Sequence, residues 1–173
     1  MTDRPFARAM LVRCAPERPE RWHDMADGLR DRFGAEVSIV RPGQLTSPAT
    51  MLAAISKNLA RPGDPLLLVV SGAVTRFVRR AGDIWALVLP DSVPGRPRSM
   101  LRLDDLVETA ARASAGRPLL FGLDARTEDI EISATDLADR LAVACHPYFP
   151  WSSGILVRAS SVERRASSVE RRA

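Results

Sequence analysis

Lysine is nearly missing from this chain. Lys57 stands alone among 25 basic residues, the rest of which are arginine, against 21 acidic ones. The net charge of +4 permits contact with nucleic acid or an acidic partner without pointing to either. Aromatic residues are also sparse, at 5%, and no stretch interleaves them with clustered arginines. That combination is what stacks on bases while neutralising phosphates, so nucleic acid is not an expected partner. With abundant Ala and Pro, the preference for Arg over Lys reads as coding bias in a GC-rich genome. Only two cysteines occur, Cys14 and Cys145, without metal-ligand spacing. A disulfide framework and a zinc site are not expected, and both are read as small buried apolar residues. Apolar runs such as 65–70 are too short to span a bilayer, and the first residues, MTDRPFARAM, lack the apolar core of a signal peptide. The expectation is a cytoplasmic protein with no membrane contact. G-x-G-x-x-G, G-x-x-x-x-G-K-[ST], H-E-x-x-H and G-x-S-x-G are all missing, and no cofactor is expected.

What is present is a regular alternation. The chain has 173 residues, 46% of them hydrophobic, enough for one domain with its own core. Residues 7–12 read as a first strand. Trp22, Met25, Leu29 and Phe33 recur at helical spacing over 19–33, with Gly34 as the stop. Residues 36–40 alternate as an edge strand does. Ser47-Pro48 supplies a cap and a preset first turn to a second helix with Leu52, Ile55 and Leu59 facing inward. Strands are expected at 65–70, 84–89, 118–123 and 154–157, and helices at 104–114 and 135–144. Strands alternating with helices predict an α/β fold, a three-layer sandwich with a mainly parallel sheet flanked by helices.

The tail is a tandem duplication: ASSVERR at 159–165 is repeated at 166–172. Its seven-residue period predicts Ala159, Val162, Ala166, Val169 and Ala173 along one helical stripe, but two units are too few for a stable coiled coil. The expected organisation is an α/β domain over 1–158 and a basic tail over 159–173.

In open α/β sheets function gathers at the carboxyl ends of the strands. The two most apolar strands are expected to end at Ser71-Gly72-Ala73 and at Asp124-Ala125-Arg126. With these two motifs, with RFGAEVSIV followed by a helix and RPGDPLLLVVSG, and with MLRLDDLVETAARASAGRPLLFGLDA before GILVRASS, the chain resembles the caspase-like cysteine peptidases, the group of caspases and metacaspases. That family has an apolar strand ending in Ser-Gly-His-Gly and, about fifty residues on, a strand ending in Asp-x-Cys or Ala-Cys. The resemblance implies a caspase-like sheet. It puts Ala73 where the family has its catalytic His and Arg126 where it has its Cys. A methyl group has no basic atom and a guanidinium stays protonated, so neither can serve. Asp124, with Ser71 and Gly72, would be what remains of a substrate pocket. Asp124 is more simply read as capping a turn or pairing with Arg126.

Cys145-His146 does not restore the dyad, since adjacent residues diverge on a helix and face opposite ways on a strand. His23 is expected to look into solvent. Where the family continues with further helix and strand, this chain has only the repeated tail, so its last strand is expected at a sheet edge. The expectation is a non-catalytic pseudopeptidase that binds a protein partner, an adaptor or regulator of the kind found in bacterial signalling or defence. Two other readings stay open: a divergent cysteine peptidase or other hydrolase using Cys145 or Ser71, and a small-molecule-binding α/β module.

Overall fold

The computed structural model describes residues 7–14, 19–41, 43–44, 46–63, 65–127, 133–145 and 154–161. Its elements run β1 (Arg8–Arg13), α1 (Pro19–Phe33), β2 (Glu36–Val40), α2 (Pro48–Leu59), β3 (Leu66–Phe77), β4 (Ile84–Leu87), β5 (Leu101–Arg102), α3 (Leu103–Ser114), β6 (Leu119–Thr127), α4 (Ala134–Cys145) and β7 (Gly154–Ser161). The fold is an α/β three-layer sandwich, with seven strands and four helices among the described residues.

Five strands are parallel, in the order β2, β1, β3, β6, β7. The chain steps one way from β1 to β2, then returns past β1 to β3 and continues outward to β6 and β7. Right-handed crossovers then require α1 on one face and α2, α3 and α4 on the other. The packing follows that rule. Met51, Ile55 and Leu59 of α2, Leu103, Leu106, Val107 and Ala110 of α3, and Leu137 and Leu141 of α4 are buried with Met10, Leu68 and Phe121 of the sheet. Trp22, Ala26 and Leu29 of α1 are buried on the opposite face with Ala9, Leu11 and Leu67. Burial of these side chains supplies the main driving force for assembling the layers.

Local chemistry sets the element ends. Ser47 caps α2 in a reciprocal capping box with Thr50, and Pro48 fills the first turn where its missing N–H costs nothing. Gly34, at φ 60°, ends α1 by turning left-handed and donates its N–H to the Arg30 carbonyl at 2.9 Å. Arg117 ties α2 to α3 at the opposite end of the sheet from the carboxyl termini. Its guanidinium donates to the carbonyls of Leu59, Arg61, Gly63, Ala113 and Ser114, at the two helix ends and the turn after α2, with Ser114 also accepting from the Arg117 backbone N–H. Arg140 of α4 pairs with Asp104 of α3, linking the next two helices.

Several expected boundaries move, and the strand expected at 84–89 ends at Leu87. The strand expected to stop at Ser71-Gly72 runs on to Phe77, because Val74, Thr75 and Phe77 keep strand-forming side chains and pair with β4. That pairing is antiparallel, and β4 pairs antiparallel with β5, so the segment expected at 84–89 builds a side ribbon on the parallel sheet. The 118–123 strand extends to Thr127. The last strand extends from its expected end at Val157 to Ser161, so Ala159 to Ser161, the start of the first repeat, are strand where a helical stripe was expected. The rest of the repeat, with His146, lies outside the described residues, as does the side chain of Cys145.

Candidate functional site

The two quoted motifs are strand interiors, and the sheet brings them together. In the parallel pair β3 and β6, Ser71 is opposite Asp124, Gly72 opposite Ala125, and Ala73 opposite Arg126. Register extends outward on both sides: Ser71 is opposite Arg13 of β1, and Asp124 is opposite Arg158 of β7. Side chains in one register row of a parallel sheet share a face. Arg13, Ser71, Asp124 and Arg158 therefore form a polar row on the α1 face, near the carboxyl ends of the parallel strands. Ala73 and Arg126 lie one row further on.

Gly72 explains why the motif contains glycine. It points to the other face, where a Cβ would lie 2.9 Å from Cys14 Cβ and 3.0 Å from Leu87 Cδ1. The residue is an accommodation for two packed side chains, and the sequence-level signal of a turn came from its chemistry alone. The Cys14 N–H donates to the Ser71 carbonyl at 2.8 Å, locking β1 to β3 here.

Of the two nucleophile candidates, Cys145 and Ser71, only Ser71 has its side chain among the described residues, and Cys14 is the one described thiol. Burial pushes the Cys14 thiol up to about 12, so it stays protonated and unreactive at neutral pH. Ser71 is buried, and its register neighbours are Arg13 and Asp124, not an imidazole. Asp124 faces Arg158 at 3.8 Å, a loose and half-exposed ion pair, rather than capping a turn. Among the described residues no three His, Cys, Asp or Glu side chains converge as metal ligands would.

Beside this row is a cavity that the sequence does not announce. Arg13 at the end of β1, Ile39 of β2, Arg41 just beyond it, and Trp22 and His23 in the first turns of α1 line a volume of about 210 Å³. His23 is exposed, as expected, and also borders this space. No motif could have flagged it, since three separate segments contribute and only the β1–β2 register with α1 packed above draws them together.

Fold and site together define the class: an α/β sandwich whose parallel strands carry Arg13, Ser71, Asp124 and Arg158, and then Ala73 and Arg126, toward their carboxyl ends among the described residues. Among the described residues no helix is long and apolar enough to cross a membrane. No protein-family model matches the chain, and none of the curated proteins compared with it does.

Proposed function

We propose that this chain is a non-catalytic caspase-like domain, a pseudopeptidase that works by binding another protein as an adaptor or regulator in bacterial signalling or defence. The observation that carries the reading is the pairing of Ala73 with Arg126. The two positions matched to the family's base and nucleophile sit side by side on neighbouring strands, and one offers a methyl group, the other a permanent cation. Among the described residues of these rows, Arg13, Arg126 and Arg158 with the one carboxylate of Asp124 suit a partner segment rich in Asp and Glu. Among the described residues β7 pairs only with β6, and Leu156 on it is 66% exposed, so the same end of the sheet offers backbone groups and an apolar contact.

Affinity capture from the native host, followed by binding measurements on the recovered protein, tests this. Leu156→Asp and Arg158→Glu change only exposed side chains and are expected to fold normally while weakening the complex at least tenfold. A complex indifferent to both substitutions, or a purified domain that turns over a small metabolite, would contradict the proposal.

A further inference from the structure

We propose that the cavity between α1 and the ends of β1 and β2 is a binding site for a small organic oxyanion, a phosphate monoester or carboxylate on a planar apolar body. This inference shares Arg13 with the protein-partner reading but concerns a different kind of ligand, and Arg41 and Trp22, which that reading does not use, test it separately.

The lining divides by chemistry. Arg13 and Arg41 both line the space, and a guanidinium is a planar fork suited to carboxylate or phosphate oxygens. His23 adds a further ring nitrogen at the rim. Trp22 and Ile39 supply the apolar portion, and Trp22 is only 8% exposed, so the helix packing holds its ring in place. A fixed aromatic wall beside two arginines matches an anion carried on a flat ring. Among the described residues that line the space none is acidic. Glu20, also in the first turn of α1, is exposed and is not one of them.

The cavity lies at the carboxyl end of the parallel strands, where open α/β sheets gather their ligands. The strand order reverses between β1 and β3, and the cavity lies one strand to the side of that reversal, between β1 and β2. Arg13 is the last residue of β1, and Arg41 immediately follows β2. Size narrows the class: about 210 Å³ is below the roughly 300–1,000 Å³ of sites for drug-sized ligands, which excludes a whole dinucleotide and fits a one-ring anion.

Phenyl phosphate, benzoate, inorganic phosphate and phenol are the probes, titrated into the full chain while backbone amide NMR shifts and Trp fluorescence are followed. Saturable binding of phenyl phosphate or benzoate is expected, with shifts centred on Trp22, His23 and Arg41, and the tighter of the two tells phosphate from carboxylate. Arg41→Gln, at an exposed position, is expected to weaken that binding at least tenfold and Arg13→Gln likewise, while Arg98→Gln, remote from the cavity, leaves it unchanged. Trp22→Phe should remove most of the ligand-dependent change in fluorescence. Phenol binding as tightly as the charged probes, inorganic phosphate binding as tightly as phenyl phosphate, or affinity indifferent to Arg41→Gln would each overturn the assignment. So would an absence of saturation up to about 10 mM, an affinity equivalent to under roughly 3 kcal/mol.

Discussion

Ala73 of β3 and Arg126 of β6 are register partners in a parallel pair, with their side chains on the same face of the sheet. Neighbouring strands lie about 4.8 Å apart, so an imidazole and a thiol at these two positions would be within reach of each other. Ala73→His with Arg126→Cys, in a Cys145→Ser background, is therefore expected to produce a thiol that alkylates at pH 6.5 about tenfold faster than in Arg126→Cys alone. Cys14, held as a buried thiol, contributes nothing to that rate. Equal rates would mean that the two positions do not communicate. Peptide cleavage is not required for this result, because a substrate pocket needs its own supporting shell.

Gly72 and Gly28 are expected to respond oppositely to alanine. At 72 the new Cβ meets Cys14 and Leu87 at or below 3.0 Å, and overpacking of this kind costs about 1–3 kcal/mol. At 28, inside α1, it meets nothing within 4 Å, and alanine gains helix propensity. Thermal melts should show Gly72→Ala lowered by roughly 2–12 °C and Gly28→Ala raised by a few degrees. A neutral Gly72→Ala would show that β3 is not pressed against β1 and β4 there.

Arg117→Ala removes the shared donor of the α2 and α3 ends. With the carbonyls of Leu59 and Gly63 left without it, a loss of about 1.5–3 kcal/mol is expected, or roughly 3–12 °C in Tm. Arg30→Ala, which breaks only an exposed pair with Asp27, should change Tm by about 1 °C or less. Equal effects would reduce Arg117 to an ordinary surface arginine.

Glu36 carries a pH signature. The hydrogen bond from Arg8, whose buried guanidinium lies 2.8 Å away, holds the Glu36 carboxyl below the usual carboxylate range, and Arg61 adds to this. A depressed folded-state pKa gives stability that is complete above the unfolded value of about 4.3 and lost as pH falls through the folded value. Wild type should therefore melt above Glu36→Gln at pH 7, with the gap closing as pH falls below about 4.3 and through the lowered folded-state value. A gap constant over that range would assign the difference to packing instead.

The layers were legible because each rests on local periodicity. Trp22 and Leu29 mark the face of α1, Ile55 and Leu59 that of α2, and the alternation over 36–40 marks an edge strand. The extent of β3 was not legible, because glycine reads as punctuation until Cys14 and Leu87 are seen packed against it. Nor was the antiparallel β4–β5 ribbon, since Ile84 to Leu87 is as apolar as a parallel strand. The positions Ser71, Ala73, Asp124 and Arg126 could be named from the sequence, and their register could not. The cavity escaped altogether, because Arg13, Trp22 and Arg41 share a site only through the sheet order.

The central claim, that this platform binds and does not cut, is tested most directly by incubating the purified chain with a fluorogenic peptide library that varies the residue before the scissile bond. If Ala73 and Arg126 stand where the dyad would be, as proposed, release after Arg, Lys, Asp or any other residue should equal that of a boiled control. Turnover above that control, abolished by Cys145→Ala or Ser71→Ala, would contradict the account and return the chain to the hydrolases.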